Sequence, residues 1–267
     1  VTATAPPRLS FDEISHHFKG PTGITRVLDG LTFGVPPGRF VAVIGPSGCG
    51  KSTLLQMATG LLRPTSGTVR RDGVPVSGVP KSGPRPGDSE IGLVPQQALL
   101  FPWKTLAENV GLKLEFQGIP APERHARVAR ALHDVGLDGF ANHYPRQLSG
   151  GMQKRGAIAR TLVYNPSLIL MDEPFGALDA QTRMVMQRDL QALVGRTGAA
   201  VLLVTHDITE AVVLADEVVV LCRRPARLLA RHPIGLPRPR DPFEPHANPG
   251  FAAAYAAVWA SFRSEVT

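Results

Sequence analysis

The chain has 267 residues, of which 43% are hydrophobic and 19% charged, and a net charge of +7. That length and balance read as globular and suit one large α/β domain, or a domain with a subdomain. The longest apolar runs, such as Ala199–Val204, fall far short of the roughly 20 residues that cross a bilayer, and no early charged-then-apolar segment of the secretory kind is present. The expectation is a soluble, cytoplasmic chain whose membrane role, if it has one, comes through a partner. Two cysteines, Cys49 and Cys222, exclude a disulfide framework and read as reduced thiols. Six arginines and no acid lie between Val218 and Arg240. Such a run suits nucleic acid, acidic headgroups or nucleotide, but the simpler reading is a solvated, Pro-rich tail.

In chain order, residues 1–10 read as frayed, and His16 and His17 as surface residues. Phe11–Phe18 and Val27–Val35 alternate as antiparallel strands do. Phe40–Ile44 is a buried β-branched run that enters a glycine loop, after which Ser52–Leu62 reads as a helix. Pro64–Val76 suggests turns and a hairpin, Ser77–Asp88 a Gly/Pro-rich loop, and Ile91–Val94 a strand. From Thr105 to Val163 the pattern is helical, with Ala121–Val135 and Gly151–Val163 its clearest parts. Ser167–Met171, Ala200–Thr205 and Glu217–Leu221 restore apolar strands, separated by helices Arg183–Val194 and Ile208–Leu214. Alternation of this kind implies a largely parallel sheet. The tail from Arg231 opens with prolines, and Phe251–Phe262 reads as a short helix.

The glycine loop Gly45-Pro46-Ser47-Gly48-Cys49-Gly50-Lys51-Ser52-Thr53 fits G-x-x-x-x-G-K-[ST], with a strand before it and a helix after. Its glycines let successive N–H groups point at phosphate oxygens, and the helix adds its positive end. Lys51 supplies charge for the β and γ phosphates, and Ser52 a hydroxyl for Mg²⁺. The strand Ser167–Met171 runs into Asp172 and Glu173, at the strand end where α/β sheets collect ligands. Asp172 is a candidate to hold Mg²⁺ through water, and Glu173 to polarise the attacking water. His206 ends a third apolar strand and is placed to touch the γ-phosphate or that water. Gln96, just after Ile91–Val94, is a candidate Mg²⁺ ligand or water-positioning residue, or an ordinary loop glutamine. Phe18 reads equally as an adenine platform or as a core aromatic.

A second anion-type helix start stands at Leu148-Ser149-Gly150-Gly151-Met152-Gln153-Lys154-Arg155. With the P-loop, Gln96, LILMDEP, GALD at Gly176–Asp179 and His206, this stretch resembles the ATP-binding subunits of ABC transporters over roughly residues 9–225. The resemblance implies two subunits packed head to tail, with Ser149, Gly150 and Gly151 contacting the γ-phosphate of an ATP held by the P-loop of the other. It also implies that Asp179 belongs to the loop linking the two sites. QQALLFPWKTLAENV, DEPFGALDAQTR, THDITEA and LPRPRDP are similar to importers of the nitrate, taurine and aliphatic-sulfonate type. Pro95 departs from the usual aromatic before Gln96, Lys154 from a usual glutamine, and the Ser77–Ser89 loop is longer than usual by a few residues.

The implied fold is α/β, a P-loop NTPase (RecA-like) core with a mostly parallel sheet, an N-terminal antiparallel β-subdomain and an inserted helical subdomain. Residues 1–230 would form the ATPase domain, with the helical insert at about 97–164 and a Pro/Arg-rich tail at 231–267. The implied function is an importer ATPase using ATP and Mg²⁺ at the cytoplasmic face of the membrane. Its dimer closure would drive a permease for a small anionic solute supplied by a binding protein, with Trp103 a candidate permease contact or a core residue. The dimer would be a homodimer or a pair with a like subunit. An exporter subunit is the nearest rival. A non-transport relative acting on nucleic acid is a further one, although no nucleic-acid partner is expected.

Overall fold

The computed structural model describes residues 6–21, 23–76, 91–176 and 178–265. The expected Ser77–Asp88 loop, with Ser89, lies outside the described residues, as do the first five residues and Ala177 of GALD.

Strands β1 (Leu9–Gly20) and β2 (Gly23–Val35) form a long antiparallel hairpin. β3 (Phe40–Ile44) is buried throughout and feeds the P-loop and α1 (Lys51–Thr59). The helix stops at Gly60, short of the expected Leu62, because Gly60 takes a left-handed C-cap at φ 82 and donates to Met57 O. β4 (Ser66–Arg71) and β5 (Val74–Pro75) turn through Asp72 and Gly73, both at positive φ, as a tight hairpin requires. β6 (Ile91–Val94) precedes three helices: α2 (Leu106–Phe116), α3 (Ala121–Asp134) and α4 (Gly150–Leu162). The chain then alternates through β7 (Leu168–Asp172), α5 (Ala180–Thr197), β8 (Ala200–Thr205), α6 (Ile208–Leu214) and β9 (Glu217–Leu221). It closes with β10 (Leu228–Pro233) and α7 (Phe251–Phe262).

Two sheets result. One runs β2-β1-β4-β5 and is antiparallel; the other runs β10-β9-β3-β8-β7-β6. In the second sheet β9, β3, β8, β7 and β6 are parallel and β10 is antiparallel to β9. Successive residues of β3 face opposite cores. Phe40, Ala42 and Ile44 pack with α6, α7 and the inserted helices, whereas Val41 and Val43 pack with α1 and the antiparallel sheet. Two hydrophobic layers therefore fix the central sheet from both sides and leave its strand ends free to carry polar groups.

Three sequence readings are corrected. His16 is not a surface residue: it is only 8% exposed, because register shifts in β1 on both sides of it turn the side chain inward. The segment after β9 does not begin as an irregular tail: Leu228–Pro233 pairs along β9. Nor is the arginine run simply a solvated face. Arg240 is buried and donates to the carbonyls of Val212, Val213 and Ala215 at the end of α6, and Gln191 grips its backbone N–H and C=O at 3.1 and 2.8 Å. Arg238 pairs with Asp216 at 3.0 Å, Arg231 with Glu217, and Arg227 with Asp29 at 2.6 Å.

Candidate functional site

β3, β7 and β8 are paired in a register that levels their carboxyl ends. Ile44 stands opposite Thr205, and Asp172 opposite Val204. The residues that follow each strand therefore meet above one edge of the sheet. They line a cleft of about 620 Å³, whose walls are Phe18, Thr25 and Val27 from the hairpin, Ser47, Gly48 and Gly50–Thr53 from the P-loop, and Gln96, Glu173, His206 and Arg224. Gly45, Pro46 and Cys49 lie beneath this wall. Burial raises the Cys49 thiol above its ordinary range, so the cysteine contributes no thiolate.

The P-loop is shaped by close packing. A Cβ on Gly50 would stand 2.8 Å from Leu28 Cδ2 and 2.9 Å from Val27 Cγ1, and the residue sits at φ 123. Lys51 folds back so that Nζ donates to Gly45 O at 2.7 Å and Pro46 O at 2.9 Å. An ammonium has three N–H groups, so one remains for the cleft. The Ser52 hydroxyl lies beside the Asp172 carboxylate. Burial pushes the Asp172 carboxyl above its ordinary pKa, and the Ser52 hydroxyl opposes that rise, as do the charges of Lys51 and Lys154.

Glu173 is the hub of the opposite wall. Gln96 Nε2 donates to its Oε2 at 3.3 Å, and His206 Nδ1 lies 3.2 Å from its Oε1. The Glu173 N–H bonds Val204 O at 2.9 Å, and the residue then adopts φ 44, a left-handed conformation that swings the carboxylate over the cleft. A hydroxyl, a half-buried carboxylate and a side-chain amide oxygen are hard donors. With water they suit Mg²⁺, so Ser52, Asp172 and Gln96 fit the cation expected there.

Phe18 is 43% exposed, which rules out the core reading. Its ring meets His16 edge-on with centroids 4.6 Å apart. Ser149, Gly150 and Gly151 do not join this cleft. Ser149 caps α4, accepting from Met152 N–H at 3.2 Å, and with Gly150 lies exposed elsewhere on the chain. Asp179 caps α5 through Thr182 N–H at 2.9 Å.

The sequence reading assigned no role to Lys154 or Arg224. Lys154 is 2% exposed, and its ammonium donates to Pro95 O at 2.8 Å and Gln96 O at 2.6 Å. It thereby fixes the path of the loop that carries Gln96, hereafter the Gln-loop. Arg160, one and a half turns along the same helix, donates to Leu99 O at 2.8 Å. Burial lowers the Lys154 pKa, opposed by the charges of Asp172 and Glu173. The lysine at position 154, where the resemblance leads one to expect glutamine, was the available signal for the first; for the second there was only the unexplained arginine run.

The model for the family described as ABC transporter matches residues 28–176. The chain belongs to the ABC transporter ATP-binding family. As such it is an ATPase coupled to transport. An ABC transporter ATP-binding protein of Methanocaldococcus jannaschii, MJ0412, is 45% identical over 88% of this chain and 85% of its own length. The taurine import ATP-binding protein TauB of Burkholderia pseudomallei is 40% identical over 94% and 95%, respectively. The aliphatic sulfonates import ATP-binding protein SsuB 1 of Pseudomonas aeruginosa is 46% identical over 82% and 85%. Among solved structures, the dimeric bacterial ABC transporter cassette MJ0796 aligns at a TM-score of 0.78 and 34% identity, covering 85% of this chain and 98% of the cassette. The α/β fold and family expected from the motifs are thus those found for this ABC ATPase. Among its described residues, no helix is long and apolar enough to cross a membrane.

Proposed function

We propose that the chain is the ATP-hydrolysing subunit of an importer for a small anionic solute such as taurine, an alkanesulfonate or nitrate. The observation that carries the ATPase chemistry is the convergence of Lys51, Ser52, Glu173, Gln96 and His206 on one cleft, with Asp172 beside Ser52. Phe18 stacks on the adenine, and the P-loop amides with the free Lys51 N–H hold the β and γ phosphates. Ser52, Asp172 and Gln96 would hold Mg²⁺, which would offset phosphate charge. Glu173 accepts a proton from the attacking water while His206 and Gln96 fix its carboxylate, so stabilisation is mainly positional and electrostatic. The import direction and solute class are supported by the likeness to TauB and SsuB.

The exposed LSGG start of α4 supports a site made by two chains, closed by ATP and released by hydrolysis. Trp103, 70% exposed ahead of the inserted helices with its ring against Phe101, is the apolar contact we assign to the permease. On this reading the protein works at the cytoplasmic face, with residues 1–230 as the ATPase domain, the helical insert at about 97–164 within it, and residues 231–267 as a Pro/Arg-rich C-terminal segment packed against it. The test is Ser149→Arg. ATP binding by the single chain should stay within about twofold of wild type, while hydrolysis falls at least about 100-fold, in the range for loss of an electrostatic transition-state contact. Loss of both together, or of neither, would remove the two-chain site. Stimulation of the permease complex by taurine, alkanesulfonates or nitrate then decides the solute.

A further inference from the structure

One part of the arginine run is unused by this chemistry. Arg224 is exposed at the rim of the cleft and donates through Nη2 and Nε to Gly48 O, at 2.7 and 3.2 Å. That carbonyl is one end of the Gly48–Cys49 peptide. The other end, Cys49 N–H, donates to Pro46 O at 3.2 Å. A planar peptide held at both ends does not rotate. Gly48, without a Cβ and at φ 72, would otherwise be a loose joint of the P-loop.

The turn that carries Arg224 is anchored on two sides. Ala226 N–H donates to Val27 O at 2.8 Å, Asp29 N–H donates to Ala226 O at 3.0 Å, and Arg227 pairs with Asp29. These bonds join the turn to β2, whose Thr25 and Val27 line the cleft. On the other side, Arg223 N–H donates to Glu265 Oε2 and Arg223 Nε to Glu265 O, both at 2.7 Å. Glu265 ends the 3-10 turn Arg263–Glu265 that continues α7.

We propose that the Cys222–Arg227 turn is a clamp between α7 and the P-loop, in which Arg224 is a positioning residue that fixes the Gly48–Cys49 peptide and so keeps the N–H groups that follow it, from Gly50 to Thr53, aimed at phosphate. The inference rests on the cleft being the ATP site. Glu265 sets the turn, the turn sets Arg224, and Arg224 sets the loop. The effect belongs to nucleotide binding and not to the bond-breaking step, since Arg224 holds Gly48 O of the P-loop, whereas Glu173 is held by Gln96, His206 and Val204 O.

Titration of MgATP into the full chain tests the clamp, with melting temperature as the control for folding. Arg224→Ala should weaken ATP about three- to tenfold, the size of one solvent-accessible charge-assisted hydrogen bond, and raise KM with kcat nearly unchanged. Arg224→Lys should recover part of the loss. Glu265→Ala should weaken ATP about twofold in the wild-type background and not at all in the Arg224→Ala background. Wild-type affinity in Arg224→Ala, no effect of Glu265→Ala, or an equal effect of Glu265→Ala in both backgrounds would each overturn the proposal. Failure of the wild-type chain to bind ATP would instead overturn the reading of the cleft.

Discussion

Lys154 shows how one side chain can set the geometry of a site without entering it. Its ammonium is buried and shared between two carbonyls of the Gln-loop, so removing it would strand both acceptors and release Gln96. Lys154→Met keeps the apolar stem but not the charge. Its kcat for ATP hydrolysis should fall at least about tenfold with ATP affinity close to wild type, the pattern for an interaction used mainly in the transition state. Lys154→Gln restores N–H donors and should retain most activity. A methionine variant with wild-type kcat would show that the Gln-loop holds itself. At this scale the sequence was legible where chemistry demands a residue type: a P-loop lysine, a strand-end acid pair, a strand-end histidine. It was not legible where a residue acts through a backbone carbonyl, because every residue has one and no pattern marks which is used.

Among the elements, α6 carries a charge device beneath His206. Asp207 caps the helix, accepting from Glu210 N–H at 3.1 Å, and the Thr205 hydroxyl accepts from Asp207 N–H and donates to Glu210 Oε2 at 2.8 Å. Glu210 is only 5% exposed, and burial pushes its pKa up to about 8. A carboxyl raised on folding holds its proton in the native state where the unfolded chain has already released it. Below the ordinary carboxyl pKa near 4.5 both states are protonated; between there and about 8 the native state binds more protons, so stability falls as pH rises. The melting temperature of Glu210→Gln relative to wild type should therefore increase steadily from pH 5 to pH 8.5. A constant difference would mean that Glu210 ionises normally. β8, α6 and β9 match their sequence expectations residue for residue, because long β-branched runs and the Asp207 cap mark their limits. β10 was missed for the opposite reason: it ends in a proline, alternates only weakly, and exists because β9 offers an edge.

For the molecule as a whole, the part after β9 is fastened rather than appended. Arg240 is the main fastening: burial pushes its pKa down to about 10, and its guanidinium answers carbonyls at the end of α6 and in the Ile234–Leu236 stretch. Arg240→Ala should destabilise the chain by about 2–4 kcal/mol, leaving several buried carbonyls without donors, and lower the melting temperature by about 5–10 °C. ATP affinity should be unchanged. The same pairing bears on the rival functions. The arginines that suggested nucleic acid are engaged within the chain, by Asp29, Glu217, Asp216, Glu265, Gly48 and the end of α6. Composition reports how many charges there are, and only the fold reports which are already answered.

The backbone at Glu173 has a bearing on how variants of this protein would be chosen. A glutamate at φ 44 occupies a conformation in which glycine is more comfortable by roughly 1 kcal/mol, and it places a second carboxylate next to Asp172. Glu173→Gly should therefore melt about 2 °C higher than wild type and hydrolyse no ATP. A screen that ranks variants by heat resistance alone would promote that glycine and discard the working enzyme.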